Sequence, residues 1–160
     1  MLRAGVLQLM SHTAGETIRA ARGEDFPQVR ALLERSDLPI DGVPENLIGY
    51  AVAMHDDKVV GVAGIERCDR YSLLRSVAVD ESARNRGIAR SIVEQLIDEE
   101  RAMRTQSIFL LTTTAASYFP MLGFAAVERE SVPDAIRATQ EFRETCPSSA
   151  TVMRLDLNSE

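Results

Sequence analysis

At 160 residues the chain buries roughly two-thirds of its unfolded surface on folding, which is enough for one substantial hydrophobic core. A net charge of −6 and the lack of any basic tract argue against a nucleic-acid partner. Two cysteines do not make a disulfide framework, and residues 1–15 hold neither a secretory cleavage pattern nor a membrane span. We therefore expect a cytoplasmic protein with one domain over residues 16–160. An N-terminal extension at 1–15 precedes that domain, and Met10 is a second candidate start.

The N-terminal part of the sequence predicts a strand, a helix and an antiparallel meander. Alternation over residues 16–21 indicates a first strand, and apolar residues at spacings of three and four over 25–35 indicate a helix. Two prolines and a glycine interrupt regular structure over 38–47, so that stretch predicts a loop. Two strands then flank a turn at 55–57, and a third apolar strand spans 73–79.

The middle of the sequence predicts a crossover to a parallel strand. Apolar residues recur on one face of a helix from 87 to 104, and charged residues occupy its other face. The short apolar run at 107–112 is typical of a buried strand, which a right-handed crossover lays beside 73–79. The start of the helix then lies near the carboxyl ends of these strands, where open α/β sheets bind ligands.

Proline and glycine positions define the elements near the C-terminus. Gly123 is a natural residue to end a helix in the left-handed conformation, so we expect a short helix that ends near Leu122. Because an interior proline breaks a helix, Pro120 belongs to its first turn, with Ser117 as the cap. The remaining predicted elements are a strand at 124–129, a helix that opens at Pro133 and a strand at 150–157.

The segment RNRGIA, residues 84–89, carries the strongest chemical signal. It opens the predicted helix, and a helix N-terminus offers backbone N–H groups and a partial positive charge to a phosphate. Gly87 lets the backbone approach a phosphate closely, while Arg84, Arg86 and Arg90 add positive charge. A solvated helix start is the plain alternative. The sequence lacks GxxxxGK(S/T) and GxGxxG, which argues against a nucleotide-triphosphate loop and a dinucleotide site.

The pattern (R/Q)xxGx(G/A) after a strand resembles the GNAT superfamily of acetyl-CoA-dependent N-acetyltransferases, and the resemblance covers residues 17–157. It implies an α/β (α+β) fold in which helices flank a central twisted sheet of six to seven strands. That sheet is mixed and mostly antiparallel, and its parallel central strands splay apart. The resemblance also implies acetyl-CoA as co-substrate, an amine as acceptor and no metal.

Further motifs narrow the resemblance to one branch: LLRSVAV before the loop, LLTTTA after the crossover, LGF at residues 122–124, and PDAIRATQEF followed by CPSSA. Together they look like the arsenic-resistance-associated N-acetyltransferases, which are similar in turn to the acetyltransferase domain of N-acetylglutamate synthases. This implies a small acceptor with a carboxylate: an amino acid or a toxic analogue that contains arsenic or a phosphinate. A homodimer is compatible with this branch. The alternative is a non-catalytic sensor that binds acyl-CoA or an effector.

The resemblance also assigns residues to the cofactor. In the family, the strand that matches 76–79 splays from its parallel neighbour at a bulge, and its backbone pairs with pantetheine like an added strand. The loop at 84–89 holds the pyrophosphate. The residues expected at the cofactor are Val77, Ala78, Val79, Arg84, Asn85, Arg86, Gly87, Ile88, Ala89 and Arg90.

Arg75 interrupts an apolar strand, and arginine is rarely buried unless it is paired. One interpretation is a cross-strand ion pair with Glu66. The other is a bidentate clamp for a substrate carboxylate, which the branch resemblance favours. Ser76, Thr112 and Thr113 are the other predicted substrate contacts, and the threonines are equally well placed to cap the next helix.

Acetyl transfer needs a neutral amine, and α-amino groups have pKa values of about 8. Glu66, near the end of its strand, is the best-placed general base and acts through water; a surface ion pair is the alternative. Many family members carry a tyrosine four residues before the glycine of LGF, where it protonates the departing thiolate. Phe119 occupies that position here, so Tyr118 is the candidate acid. The alternative is unassisted release, because a thiolate whose pKa is about 8–9 leaves readily.

Cys146 raises another hypothesis: a thiolate that accepts the acetyl group, or that binds trivalent arsenic together with Cys68. Two sulfurs far apart in sequence are weak grounds for a site. A buried structural cysteine and direct attack of the amine on acetyl-CoA are therefore favoured.

Overall fold

The structure is a computed structural model and describes residues 15–145 and 149–157. Within that part of the chain there are seven strands: β1 Thr17–Ala20, β2 Tyr50–His55, β3 Lys58–Cys68, β4 Tyr71–Val79, β5 Ser107–Thr112, β6 Ala125–Ala126 and β7 Thr151–Asp156. They form one sheet in the order β1-β2-β3-β4-β5-β7-β6. The α-helices are α1 Phe26–Arg35, α2 Ile88–Ala102 and α3 Asp134–Arg137.

The sheet is mixed. β1 pairs antiparallel with β2, β2 with β3, β5 with β7 and β6 with β7, whereas β4 and β5 run parallel. This confirms the predicted fold class and the parallel neighbour of the third apolar strand.

The parallel strands β4 and β5 pair with each other over their first residues. Its register runs from Tyr71 opposite Ser107 to Leu73 opposite Phe109, and β4 then continues to Val79. Within that continuation Ser76 adopts φ +60°, which is rare for a residue with a side chain and marks an irregularity of the strand. Beside it, the Tyr50 hydroxyl lies 3.2 Å from the Ser76 hydroxyl.

Backbone contacts divide the chain into two compact units. Within the described residues, the first unit comprises residues up to Gly64 and Ser76–Leu96, and the second comprises Ile65–Arg75 and the residues from Ile97 onward. The single domain expected over 16–160 stays a prediction.

The core of the first unit lies between α1 and the sheet. The apolar stripe of α1 is buried as the spacing predicted, through Val29, Leu32 and Leu33. On the α2 side, an added Cβ at Gly61 would lie only 2.9 Å from the Ile92 side chain, so this glycine permits the close approach of helix and strand. The remaining members of the α1 cluster are Leu47, Tyr50, Val52, Val59, Val62 and Ala78.

The second unit has its own core and a buried carboxylate. Its apolar cluster comprises Leu73, Phe109, Leu111, Val132, Ile136, Ala150 and Val152. Glu100, at the end of α2, is buried and accepts hydrogen bonds from the Arg67 guanidinium and from the hydroxyls of Ser72 and Thr105. With its oxygens satisfied in this way, Glu100 fastens the end of α2 to β3 and β4.

Two predicted boundaries in the C-terminal part were wrong, the strand at 124–129 and the cap at Ser117. The strand expected at 124–129 is only Ala125–Ala126, because the chain turns into a 3₁₀ helix at Arg129–Ser131. The short helix before Gly123 is a 3₁₀ helix, Phe119–Leu122, whose N-cap is Tyr118 rather than Ser117. The helix at Pro133 ends at Arg137, and a separate π-helical turn, Glu141–Thr145, follows. Gly123 itself, at φ +100°, has the predicted left-handed conformation.

Candidate active site

The predicted pyrophosphate loop belongs to the first unit and connects β4 to α2. A 3₁₀ turn, Glu81–Ala83, follows β4, and Asp80 caps it by accepting hydrogen bonds from the backbone N–H and the hydroxyl of Ser82. The Ser82 hydroxyl and the Arg35 guanidinium hold the pKa of the Asp80 carboxyl below its ordinary value. The carboxylate therefore stays ionised at neutral pH and fixes the turn that leads into the loop.

Two left-handed residues shape the loop itself, Asn85 at φ +67° and Gly87 at φ +78°. The Gly87 carbonyl accepts the N–H of Ser91 at 3.0 Å, so α2 begins directly after this glycine. A Cβ at Gly87 would meet no atom within 4 Å, which shows that the space beside it is open. The first turn of α2 directs its backbone N–H groups out of this end of the helix, which is an arrangement that binds phosphates.

Arg84 and Arg90 make local contacts within the same unit. The Nε of Arg84 donates to the carbonyl of Val79 at 3.0 Å, so Arg84 ties the loop to the last residue of β4. The Nε of Arg90 donates to Glu94 one turn along α2, at 2.9 Å. Both residues are exposed, so they place positive charge at the surface beside the loop.

Arg86 is anchored differently, by a carboxylate that the sequence analysis missed. Its Nη1 donates to Oε2 of Glu16 at 2.7 Å and its Nη2 donates to the Ser82 carbonyl at 3.2 Å. Glu16 is only 1% exposed, and the Nδ1 of His55 lies 3.6 Å from the same Oε2. Among the residues that the structure describes, Oε1 of Glu16 has no hydrogen-bond partner. No local sequence pattern predicts a contact between two residues that lie 70 positions apart.

The strand residues predicted for pantetheine follow the irregularity at Ser76. Val77 and Val79 are partly accessible, whereas the Ala78 side chain is buried in the α1 cluster. Because side chains alternate along a strand, Val77 and Val79 lie on the face opposite Ala78. The Val79 carbonyl already accepts Arg84, which uses one of its two lone pairs. Backbone pairing of this strand with pantetheine stays a prediction.

Arg75 lies in the second unit and is 4% exposed. Its Nη1 is 3.8 Å from Oε1 of Glu66, which is the cross-strand partner that one interpretation of the sequence predicted. Its Nη2 is 3.4 Å from Oε1 of Glu141, which the sequence analysis missed. Glu141 is also buried, whereas the Glu66 side chain is 42% exposed. The structure thus places one guanidinium against two carboxylates, and only Glu66 is open to solvent.

The predicted site residues at the end of β5 and after it differ in their contacts and in their exposure to solvent. Thr112 accepts the backbone N–H of Ala115 at 2.9 Å through its hydroxyl oxygen, so it stabilises the following turn, whereas the N-cap of the next helix is Tyr118. Thr113 is exposed. Phe119 is buried, and its ring meets the ring of Tyr118 edge to face, with 5.2 Å between centroids. Tyr118 itself is partly accessible.

A match to a family domain model shows to which family the chain belongs. The model described as an acetyltransferase (GNAT) domain matches residues 46–126, about half of the chain. The chain belongs to the GNAT acetyltransferase family. It is therefore an acyltransferase, and acetyl-CoA is its co-substrate. This favours the enzyme over the acyl-CoA sensor that the sequence left as an alternative.

Relatives of this GNAT protein include an amino-acid acetyltransferase. The chain is 29% identical over 142 residues to the amino-acid acetyltransferase of Mycobacterium tuberculosis, across 82% of this chain and 78% of that protein. It is similar in structure to Rv2747 of M. tuberculosis in complex with CoA, with a TM-score of 0.73, 24% identity and coverage of 87% and 98% of the two chains.

A second structural relative is the N-acetylglutamate synthase of Neisseria gonorrhoeae complexed with coenzyme A and N-acetyl-glutamate. The TM-score is 0.77 at 20% identity, and the match covers 91% of this chain but 36% of the synthase. The chain therefore spans little more than a third of that protein's length. The likeness confirms the GNAT fold.

Cys68 is poorly suited to nucleophilic chemistry. Burial, and then the neighbouring charge of Glu66, raise the pKa of its thiol to about 11, so the thiol stays protonated at neutral pH. Cys146, the other cysteine of that hypothesis, lies outside the described residues.

In residues 15–145 and 149–157, no group of three or more His, Cys, Asp or Glu side chains is arranged to hold a metal ion. In the same part of the GNAT chain, no helix combines the length and the apolar character needed to cross a membrane.

Proposed function

We propose that the protein transfers the acetyl group of acetyl-CoA to the amino group of a small compound that carries a carboxylate, such as an amino acid. The observation that carries the acceptor class is the buried position of Arg75 in β4. A buried guanidinium is a specific partner for carboxylates, and it is costly unless it is paired. The name of the mycobacterial relative, an amino-acid acetyltransferase, supports the same class.

The cofactor is proposed to bind at the loop of residues 84–89. The open space at Gly87 and the helix end behind it suit the pyrophosphate, and Arg84 and Arg90 supply positive charge at the surface. Ile88 and Ala89 contribute backbone N–H groups of the first helical turn. Arg86 acts mainly as an anchor, because its guanidinium is already bonded to Glu16 and to a carbonyl.

Glu66 is proposed to be the general base. Its side chain is the accessible member of the Arg75 cluster, so it is able to exchange protons with water. The proton of the ammonium passes to Glu66 through water, and the amine lone pair attacks the thioester carbonyl carbon. The nitrogen of the tetrahedral intermediate gives up its second proton to water. The intermediate then collapses to the amide, the C–S bond breaks and the electron pair leaves on sulfur as the CoA thiolate. Arg75 orients the acceptor carboxylate during these steps.

Tyr118 is proposed to protonate the departing thiolate, in place of the tyrosine that Phe119 replaces. It is the partly accessible neighbour of a buried ring. Ser76, Thr112 and Thr113 are proposed as additional polar contacts to the acceptor.

The finer substrate class is an amino acid or a toxic analogue that contains arsenic or a phosphinate group. These analogues keep the amine and the carboxylate that Arg75 and Glu66 would recognise, so the same contacts serve them. We also propose that the enzyme works in the cytoplasm and forms a homodimer; light scattering of the purified chain measures its mass in solution.

The experiment is a thiol-release assay with acetyl-CoA across a panel of amines. The panel includes the twenty amino acids, phosphinothricin and its arsenic counterpart, together with amines that lack a carboxylate. We expect CoA release and an acetylated product, identified by mass, to be fastest with acceptors that carry a carboxylate. Binding of acetyl-CoA without release for every amine would contradict the proposal.

A further inference from the structure

Tyr50 has no part in the proposed reaction, although its hydroxyl lies 3.2 Å from the hydroxyl of Ser76 in β4. The residues that follow Ser76 are those whose backbone is predicted to pair with pantetheine. Tyr50 and Ser76 both belong to the first unit, and Tyr50 is only 5% exposed. A buried tyrosine thus brings a polar group to the point where the cofactor strand becomes irregular.

Ser76 has an unusual backbone conformation for a strand residue. Its φ of +60° lies in the left-handed region, which costs free energy for a residue with a side chain unless the surroundings hold it there. Among the described residues other than glycine that have a positive φ, Ser76 alone lies inside a strand, and the others lie in turns or loops. An irregularity of this kind redirects the N–H and C=O groups of the strand residues beside it.

The Tyr50 ring reaches Ser76 across an intervening strand. The sheet order is β2-β3-β4, and Tyr50 at the start of β2 is paired with Gly64 of β3. A Cβ added to Gly64 would overlap two atoms of the Tyr50 ring, so the ring occupies the space of a side chain at position 64. Glycine at this position is what allows the ring to lie over β3 with its hydroxyl at β4.

Packing and backbone hydrogen bonds fix Tyr50 independently of Ser76. Its ring belongs to the buried cluster of α1, together with Ala78, which lies two residues after Ser76. Its backbone N–H donates to the Leu47 carbonyl at 3.0 Å, and its carbonyl accepts the N–H of Ala21 at 2.9 Å. A side chain that is already held in this way is well suited to hold a neighbour in a strained conformation.

We propose that Tyr50 is a positioning residue for acetyl-CoA. Through its hydroxyl it holds Ser76 in the left-handed conformation, and it thereby keeps the backbone of residues 77–79 in the orientation that binds the cofactor. This role rests on the proposed function, because it requires acetyl-CoA to bind along β4. Without the hydroxyl, Ser76 relaxes toward an ordinary strand conformation, and the backbone groups are no longer oriented before the cofactor arrives.

The test compares Tyr50→Phe with the wild type, by calorimetry with acetyl-CoA and by kinetics with the amino acid that reacts best in the panel. We expect Kd and KM for acetyl-CoA to rise about tenfold, the size of effect typical of one lost hydrogen bond. KM for the amino acid should change less than twofold. Tyr71→Phe is the matched control, since it removes the hydroxyl of the tyrosine that begins β4, outside the proposed site, and should alter neither constant.

A second substitution separates this role from a general loss of stability. Glycine adopts a left-handed φ without the cost that serine bears, so Ser76→Gly no longer needs a partner to hold it. In the Ser76→Gly background, Tyr50→Phe should therefore change Kd for acetyl-CoA less than twofold. A hydroxyl that affects binding by another route would keep its tenfold effect in both backgrounds.

The possible failures are distinguishable. If the wild type releases CoA with an amino acid but Tyr50→Phe binds acetyl-CoA as tightly as the wild type, the role of Tyr50 is overturned and the proposed function stands. A tenfold effect of Tyr50→Phe that persists in the Ser76→Gly background also overturns it. If no amine in the panel supports release of CoA by the wild type, the proposed function itself has failed.

Discussion

Arg86 donates a 2.7 Å hydrogen bond to the carboxylate of Glu16, which lies 70 residues earlier in the chain. The bond ties the entrance of α2 to the residue that precedes β1, and the Arg86 side chain stays 41% exposed. Glu16 is buried, so its only charge compensation among the described residues comes from Arg86 and, when protonated, His55.

Glu16→Gln should therefore weaken the cofactor loop. The amide removes the charge-assisted hydrogen bond that holds Arg86. We expect the free energy of unfolding to fall by about 1–2 kcal/mol, and the value is small because Arg86 is partly exposed. Thermal melting measures this change, and KM for acetyl-CoA should rise while KM for the amine stays constant. The same substitution at exposed Glu45 is the control. An unaltered KM for acetyl-CoA would show that the loop does not depend on Glu16.

Gly87→Asp should abolish binding of acetyl-CoA. The new carboxylate lies where the pyrophosphate is proposed to bind and repels it, and the left-handed φ of +78° disfavours any side chain by about 1 kcal/mol. Because an added Cβ meets no atom within 4 Å, the fold should survive. Gly87→Ala introduces the backbone strain without the negative charge, so it separates the two effects. Calorimetry measures the affinity of each variant for acetyl-CoA. If Gly87→Asp binds acetyl-CoA as tightly as the wild type does, the loop is not part of the cofactor site.

Local signals predicted the fold well where one stretch of chain decides the structure. The run at 107–112 is β5 to the residue, and Gly123 has the left-handed φ that its place after a short helix required. The strand predicted at 124–129 was too long, because the apolar residues of this stretch do not indicate that the chain turns at Arg129. Glu16 and Glu141 escaped notice, since their arginine partners lie some 66 to 70 positions away and only folding brings them together.

Tyr118→Phe should lower kcat at least tenfold, a loss typical of a removed general acid. The phenol hydroxyl is the only group lost, and the edge-to-face contact of the ring with Phe119 is kept. Steady-state kinetics at saturating acetyl-CoA and acceptor measure the effect. A loss of less than twofold would mean that the CoA thiolate departs without help from Tyr118.

Alkylation of Cys68 should depend steeply on pH. Burial raises the pKa of this thiol to about 11, so the reactive thiolate is scarce at pH 8 and its fraction rises up to and beyond pH 10. We expect iodoacetamide to modify Cys68 in the folded chain about a hundredfold more slowly at pH 8 than in urea, because an ordinary thiol ionises near pH 9. Mass spectrometry of the Cys68 peptide follows the reaction. A folded-state rate that levels off above pH 9 would contradict the raised pKa.

The central claim is that Arg75 recognises the carboxylate of an amine acceptor. The most direct measurement is kcat/KM for one amino acid and for its α-amide, in the wild type and in Arg75→Lys. Lysine keeps the charge but loses the bidentate geometry, so we expect kcat/KM for the amino acid to fall at least tenfold, mainly through KM, while the value for the amide hardly changes. Equal losses for the two acceptors, matched by a loss of thermal stability, would show that Arg75 only pairs with Glu66 and Glu141 and would contradict the account.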